Sequence, residues 1–171
     1  SAQQRVSIYT AHTANIVERL IPEFEKATGI KADVVKAGSG DIINRVRAES
    51  ANPKADVIWS IGAELLEANM DLLEAYQPKE HAMIADAFKT TGPWLPYTGI
   101  LNVFVVNTKK LKPEEYPKTW MDLAQPRFKN LVSMADAEKS GSAYMQLNTF
   151  LTIYGDKQPG WDKFKEVFKN L

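Results

Sequence analysis

Arg5–Thr10, which reads Arg-Val-Ser-Ile-Tyr-Thr, is the stretch that decides the fold. Its alternating pattern, rich in β-forming side chains, predicts a strand near the start of the chain. A turn of small residues follows, and apolar side chains then recur at helical spacing from Ile16 to Phe24. Gly29 is expected to end this helix as a C-cap, and Pro22 inside it predicts a kink or a local break.

The same order of elements repeats along the next part of the chain. Ile30–Val35 predicts a second strand, Asp41 begins a second helix, and Ala55–Trp59 predicts a third strand. Leucines between Leu65 and Leu73 then indicate a further helical stretch, with a break near Asn69. Because the connections are short, this β-α-β-α-β-α order predicts an α/β fold: a parallel sheet with helices on both faces.

The second half of the chain is less regular. Ile100–Asn107 has a long apolar core of β-forming residues, which predicts a buried strand long enough to cross between two bodies. The other predicted elements are a short helical turn over Trp120–Leu123 capped by Thr119, a strand over Asn130–Met134, a helix over Ala143–Tyr154 and an amphipathic helix over Trp161–Leu171.

Each predicted strand ends in a turn of small or hydroxyl residues. In an open parallel sheet these turns line the crevice beyond the carboxyl ends of the strands, where ligands bind. Small side chains there allow a ligand to approach backbone N–H groups, although tight α/β turns also use small residues for their geometry alone. The candidate binding residues in these turns are Thr10, Ala11, His12, Gly38, Ser39, Gly40 and Ser60.

A further candidate site lies in Asp136–Ser142, where the step Ser140-Gly141-Ser142 precedes a predicted helix. The first N–H groups of a helix have no partner within it, and the helix dipole is positive at that end, so the step favours an anion. The simpler alternative is that serine serves as an N-cap and glycine as a turn residue.

Composition excludes several classes of function. The 171 residues hold 21 basic and 21 acidic side chains, which disfavours nucleic acid or another polyanion as a partner. Cysteine is absent from the sequence, which excludes disulfides and thiolate metal sites. No apolar run is long enough to span a bilayer. The start Ser1-Ala2-Gln3-Gln4 resembles the beginning of a mature exported protein, and it is equally compatible with an arbitrary boundary.

The sequence carries no enzyme motif. Gly38 and Gly40 begin a dinucleotide fingerprint, but Ile43 stands where its third glycine belongs. A phosphate-binding loop of the Walker type and a nucleophile elbow are both missing from the sequence. His12 and His81 have no partner at metal-ligand spacing. We therefore expect a protein that is not an enzyme and has neither a cofactor nor a metal centre.

Four segments together resemble a known family. They are Val6–Thr10, Ile21–Lys31, Ala55–Trp59, and Pro117–Leu123 continuing through Met134-Ala135-Asp136 to Ser142. The combination resembles the bacterial extracellular solute-binding proteins of ABC importers, in the group that handles ferric iron, phosphonates, thiamine and sugar phosphates. The resemblance implies the type 2 periplasmic-binding-protein fold, in which two α/β lobes joined by hinge strands close on a ligand. It implies a first lobe over residues 1–99, a hinge strand over 100–107 and the beginning of a second lobe over 108–171.

The resemblance also implies the chemistry of the ligand. The Ser140-Gly141-Ser142 turn matches the anion-binding helix start of the second lobe in this family, and Thr98 joins the first-lobe side of the site. Iron-binding members of the family place a histidine in the first turn and a glutamate after the third strand. Aligned without gaps, this sequence has Thr13 at the histidine position and Ile61 at the glutamate position. Because isoleucine cannot bind a hard cation, we expect a phosphate- or phosphonate-bearing solute, such as a sugar phosphate or aminoethylphosphonate.

Partners and location follow from the same resemblance. We expect a small anionic ligand, an ABC transporter permease, and a periplasmic location or an extracellular, membrane-anchored one. Alternatives are a ferric-iron, polyamine or thiamine receptor of the same fold, and a phosphotransfer enzyme or sensor domain built on the same lobe. An incomplete second lobe would expose apolar side chains, among them Phe150, Leu151, Trp161 and Phe168. We expect the remaining residues of that lobe, or another copy of the chain, to cover them.

Overall fold

A computed structural model describes residues 2–90 and 92–171; Ser1 and Thr91 lie outside the described residues. The chain divides into two compact units. The first comprises the residues up to Thr98 together with Glu138–Gly141, and the second comprises Gly99–Ala137 and Ser142–Leu171.

The first unit is built on a three-stranded parallel sheet. Its strands are β1 (Arg5–Thr10), β2 (Lys31–Lys36) and β3 (Val57–Trp59), in the spatial order β2-β1-β3. Its helices are α1 (Ala14–Thr28), α2 (Ser39–Ala48) and α3 (Ala63–Glu67). All three strands lie within two residues of the segments that the sequence predicts.

The strand order determines where the helices lie. The chain moves from β1 to one neighbour through α1 and then crosses back to the other neighbour through α2. Because parallel crossovers are right-handed, this reversal puts α1 and α2 on opposite faces of the sheet. The central strand is therefore covered on both faces, and Ile8, Tyr9 and Thr10 are buried. The prediction of a parallel sheet with helices on both faces is confirmed.

Two local features of the helices follow from single residues. Of the two alternatives predicted for Pro22, the break does not occur, because α1 runs without interruption over Ala14–Thr28 with Pro22 inside it. Gly29 ends it with φ 72°, in the left-handed region that favours glycine, and its N–H donates to the Glu25 carbonyl at 2.8 Å. The predicted break near Asn69 is present, because α3 stops at Glu67 and a single 3-10 turn follows at Met70–Leu72.

The second unit is helical. Its main helices are α4 (Gly141–Tyr154, whose first residue belongs to the first unit) and α5 (Gln158–Phe168), and a 3-10 turn covers Trp120–Ala124. Thr119 caps that turn as predicted, accepting a hydrogen bond from the Asp122 N–H at 3.2 Å. Nearby, the buried Asn170 side chain donates to the carbonyls of Leu123 and Gln125, each at 2.8 Å.

Three expectations about the second unit are wrong. No strand forms over 100–107 or over 130–134, because neither segment has a neighbouring strand to complete a ladder of backbone hydrogen bonds among the described residues. Phe150 is fully buried rather than exposed, since its ring packs against Trp120, Tyr154 and Phe164.

Trp161 and Phe168 are exposed as predicted, Leu151 is half-buried, and further apolar side chains are exposed before the first helix of this unit. Along 100–106, Leu101, Val103 and Val105 are exposed, whereas Phe104 packs edge-on against Trp120. Residues 102–107 line a cavity of about 850 Å³ within the second unit. Among the described residues no helix combines the length and the apolar character that a membrane span requires.

Candidate functional site

The carboxyl ends of the three parallel strands form the candidate site of the first unit. With β1 in the centre, the chain leaves it toward β2 on one side and reaches β3 on the other. The direction of winding therefore reverses between β1 and β3, and ligands of open α/β sheets bind at such a point. The turns after β1 and β3 hold four of the predicted residues, namely Thr10, Ala11, His12 and Ser60.

Thr10 and Ala11 hold the turn after β1 in place. Thr10 is completely buried, and its hydroxyl oxygen accepts a hydrogen bond from the backbone N–H of His12 at 3.1 Å. The Ala11 N–H donates to the Trp59 carbonyl at 3.3 Å, which joins the ends of β1 and β3. The Thr10 hydroxyl oxygen thus orders the backbone of the site. The sequence did not indicate this structural role.

His12 is the titratable group of this crevice. Its ring stacks edge-on against Trp59, with 4.5 Å between ring centroids, and Nε2 is hydrogen-bonded to the Tyr97 hydroxyl. Its backbone carbonyl accepts from the ammonium of Lys36 at 2.5 Å. Burial of the ring, helped by the positive charge of Lys36, lowers the pKa of His12 below its ordinary value. The imidazole is therefore neutral at pH 7 and can offer one N–H donor.

Ser60 and Thr98 differ in how they are held. Ser60 follows β3 with φ 68°, one of two non-glycine residues with a left-handed backbone in the described part of the chain. Such a conformation is unusual outside glycine and often marks a constrained turn. Thr98 is exposed and is the last residue of the first unit before the chain enters the second.

The second predicted turn, Gly38-Ser39-Gly40, is covered by the chain itself. The carbonyl of Lys139 accepts the Gly40 N–H at 3.2 Å, so part of the N-terminus of α2 is already capped. A Cβ atom on Gly38 would lie 2.6 Å from the Lys139 carbonyl oxygen, and one on Gly40 would overlap the Glu138 carbonyl. These glycines thus permit a close approach of backbone to backbone, although the sequence suggested that they let a ligand approach.

A second close contact joins the Gly38-Ser39-Gly40 turn to the bend at Ser140 and Gly141. Within the first unit, Gly141 lies so close to Ser39 that a side chain on Gly141 would overlap the Ser39 hydroxyl. Ser140 is half-buried, and Ser142, at the start of α4, is exposed and belongs to the second unit. The Ser140–Gly141 bend is therefore adjacent to one of the three crevice loops.

The site residues predicted from the sequence do not include Lys36, Trp59 or Tyr97. A signal for Lys36 exists in the parallel register, because it pairs with Thr10 and so lies at the same end of the sheet. Tyr97 comes from a loop whose course no periodicity reveals. No group of three or more His, Cys, Asp or Glu side chains that could hold a metal ion occurs in residues 2–90 and 92–171.

Comparison with known proteins adds three findings. Residues 52–171 match the family model described as bacterial extracellular solute-binding protein. The chain is 34% identical to an uncharacterized protein of Haemophilus influenzae over 183 residues, which cover all of this chain and 52% of that protein. It is similar in structure to the periplasmic binding protein AfuA of Actinobacillus pleuropneumoniae, solved with exogenous fructose-6-phosphate, at a TM-score of 0.87 and 30% identity over 99% of this chain and 56% of that one.

Two other relatives carry different names. A Fe(3+)-binding periplasmic protein of Serratia marcescens is 29% identical over 161 residues, covering 92% of this chain and 47% of that protein. A putative 2-aminoethylphosphonate-binding periplasmic protein of Salmonella typhimurium is 28% identical over 139 residues, covering 81% and 40% respectively. The chain thus spans about half the length of the curated relatives it matches.

Proposed function

The chain belongs to the bacterial extracellular solute-binding proteins, and from this premise we propose that it is part of the substrate receptor of an ABC importer. The solute is a small molecule bearing a phosphate or phosphonate group. The fold is that of the type 2 periplasmic binding proteins, and the family consists of binding proteins. We propose further that the receptor delivers this solute to the permease of the importer. Its proposed location is the periplasm, or the outside of the cell with a membrane anchor.

The observation that carries the proposal is that the hydrogen-bond donors at the carboxyl end of the sheet are uncharged hydroxyl and N–H groups. Thr10 fixes the turn, His12 is neutral, and Ser60 supplies a hydroxyl next to Trp59. A phosphoryl group has three oxygens that accept several hydrogen bonds without a full countercharge. The similarity to a structure that holds a sugar phosphate supports the same class of ligand.

We propose that the solute is captured by hinge closure, with residues from both units as its ligands. The first unit contributes Ala11, His12, Ser60, Thr98, Ser140 and Gly141, while Thr10, Gly38, Ser39 and Gly40 position the backbone around them. The second contributes Ser142. The segment 100–107 remains the proposed hinge, although it forms no strand in this structure. A ligand that contacts both units stabilises the closed state by its differential affinity for it.

Ferric iron is the second candidate, because a named relative binds Fe(3+). Iron requires several hard, anionic ligands. Ile61 stands at the position where the family resemblance places a glutamate, and Thr13, at the histidine position, is exposed and hydrogen-bonds to Asn15 at 2.5 Å. These residues favour an oxyanion over a metal cation in the first unit.

The cavity of the second unit supports a proposal about what covers it. It is lined by segments 102–107 and 130–134, which pair with no described strand, and by apolar side chains of α5, including Phe164 and Val167. An unpaired apolar segment accepts an added strand readily. We propose that further residues of the second lobe occupy this cavity in a longer protein, and that another copy does so when the 171-residue chain is alone. Light scattering should then show a dimer for the 171-residue chain and a monomer for a longer one.

Calorimetry tests the ligand class. The protein should be titrated with fructose 6-phosphate, 2-aminoethylphosphonate, inorganic phosphate and ferric citrate. We expect saturable binding of at least one phosphorus oxyanion and none of iron. Tight binding of iron with no response to the three phosphorus compounds rejects the proposal. A longer chain that completes the second lobe should be titrated in parallel, since a site with ligands from both units is weaker when one unit is incomplete.

A further inference from the structure

The contacts of the His12 ring distinguish its two nitrogen atoms. The Tyr97 hydroxyl is hydrogen-bonded to Nε2. No described residue forms a hydrogen bond with Nδ1. The ring also stacks edge-on on two aromatic neighbours, with centroids 4.5 Å from Trp59 and 5.9 Å from Tyr97 and interplanar angles of 72° and 69°. The imidazole is thus held in a single orientation.

The neutral state of His12 determines the direction of this hydrogen bond. Burial of the ring disfavours a positive charge on it, and so does the charge of Lys36, which holds the backbone carbonyl of His12. A neutral imidazole has one N–H and one lone pair. The lone pair of an imidazole nitrogen is a better acceptor than a phenol oxygen, and a phenol is a good donor. The favoured arrangement is therefore a Tyr97 hydroxyl that donates to Nε2, with the ring proton on Nδ1.

We propose that Tyr97 is a positioning residue that holds His12 as the neutral tautomer protonated on Nδ1, and so makes it an oxyanion donor instead of a metal ligand. The inference rests on the proposed function and deepens it. The lone pair that a metal ion would need is engaged by the Tyr97 hydroxyl, while the N–H on the other nitrogen can donate to a phosphoryl oxygen. Specificity for an oxyanion over a cation then depends on one phenol group outside the sheet.

The position of Tyr97 gives this contact a second consequence. Tyr97 immediately precedes Thr98, after which the chain enters the second unit. A ligand that binds the Nδ1 proton polarises the ring and strengthens the hydrogen bond at Nε2, because linked hydrogen bonds reinforce each other. Ligand binding at the crevice thereby tightens the hold on the last residues of the first unit.

The tautomer can be measured without any ligand. Nitrogen-15 labelling of the two histidines, His12 and His81, gives imidazole NMR signals that report which nitrogen carries the proton. His12→Asn assigns the signals by loss of one set. We expect Nδ1 of His12 to be protonated in the natural protein. In Tyr97→Phe we expect a mixture with the Nε2-protonated form and a rise in the pKa of His12. Tyr76→Phe, which alters an exposed tyrosine of the same unit, should leave the His12 signals unchanged.

Binding supplies the second measurement, with fructose 6-phosphate and Zn²⁺ as probes. Tyr97→Phe should weaken fructose 6-phosphate binding by up to about tenfold, the limit set by complete loss of the His12 hydrogen bond to a charged group. It should strengthen Zn²⁺ binding. His12→Asn, whose amide keeps an uncharged N–H, should retain more affinity for the sugar phosphate than His12→Phe.

The outcomes separate this inference from the proposed function. A natural protein with the proton on Nε2, or a Tyr97→Phe variant with an unchanged tautomer, overturns the role of Tyr97 whatever the ligand is. A violet absorption band on adding ferric citrate, lost in Tyr97→Phe, would show Tyr97 to be an iron ligand and would also overturn it. If the NMR result holds and no phosphorus compound binds, the positioning role stands and the proposed function fails.

Discussion

The backbone N–H of Gly40, at the start of α2, donates a hydrogen bond to the carbonyl of Lys139 at 3.2 Å, although the two residues are far apart in sequence. This bond ties the 138–141 segment to the first unit. It also explains why two glycines are needed around Ser39, since any side chain on Gly40 would occupy the space of the Glu138 carbonyl.

Gly40→Ala should therefore destabilise the first unit. A new methyl group cannot be accommodated against a backbone carbonyl without a shift of the 138–141 segment, and overpacking of this kind costs about 1–3 kcal/mol. Urea denaturation measures the loss. Gly92→Ala is the matched control in the same unit, because a Cβ atom on Gly92 would make only an ordinary contact, 3.7 Å from the Met70 methyl group. Equal stability of the two variants would show that the Gly40 contact is dispensable.

Phe150→Ala should be among the most damaging substitutions in the second unit. Phe150 is fully buried, and its ring centroid lies 4.5 Å from that of Tyr154 and 5.3 Å from that of Phe164. Removal of a buried phenyl ring costs about 3–5 kcal/mol. Phe168→Ala removes the same group from a side chain that is 60% exposed and should cost much less. Thermal unfolding of both variants checks the difference, and similar losses would contradict the buried position of Phe150.

The hydrogen bonds of the Asp122 carboxylate should make the free energy of unfolding fall at acid pH. Backbone N–H groups of Lys118 and Thr119 donate to its carboxylate at 2.8 and 2.9 Å and hold the pKa of Asp122 below its ordinary value. A lowered pKa in the folded state stabilises the protein above the ordinary pKa of about 3.9. This contribution disappears as the pH falls from about 5 through the lowered value.

Asp122→Asn isolates that contribution, because the amide does not titrate. Urea unfolding between pH 7 and pH 2.5 should show a smaller loss of stability in the variant than in the natural protein. Glu114→Gln is the charge-matched control, since Glu114 takes no part in the Asp122 capping interaction. Parallel pH curves for the natural protein and Asp122→Asn would exclude this capping interaction as a source of acid sensitivity.

Ser142→Ala tests the part of the proposed site that belongs to the second unit. Ser142 is exposed in the first turn of α4, where hydroxyl and backbone donors favour an anion. We expect affinity for fructose 6-phosphate to fall about tenfold, as for the loss of one hydrogen bond to a charged group. Ser50→Ala, at an exposed position after α2, should bind normally. An unchanged affinity in Ser142→Ala removes this residue from the proposal.

The sequence was sufficient to predict the strands and helices whose pattern of apolar residues is local. Alternation in Arg5–Thr10 and helical spacing in Ile16–Phe24 predict β1 and α1, and the order of elements predicts the parallel sheet. The segment 100–107 has equally strong β propensity and forms no strand. Propensity describes a residue, whereas a strand also requires a neighbouring strand with free backbone groups, and the described residues offer none there.

The candidate site was predictable only where it follows from topology. The turns after β1 and β3 lie at the carboxyl end of the sheet because parallel strands put them there. Tyr97 contacts His12, and Lys139 contacts Gly40, across long stretches of sequence. No sequence pattern predicts which distant residues meet in this way. Glycine in a turn has the same sequence signature whether a ligand or another part of the backbone approaches it.

The central position of β1 has a consequence for biosynthesis. Ile8 pairs with Val34 on one side and with Val57 on the other, so the strand of this sheet that is made first is the one that needs both of the others. Closing such long loops is slow, because their entropy is lost before the pairing contributes. The side of Ile8 and Tyr9 that faces β3 must therefore stay unpaired until Trp59 has been made, even if β2 has already added to the other side.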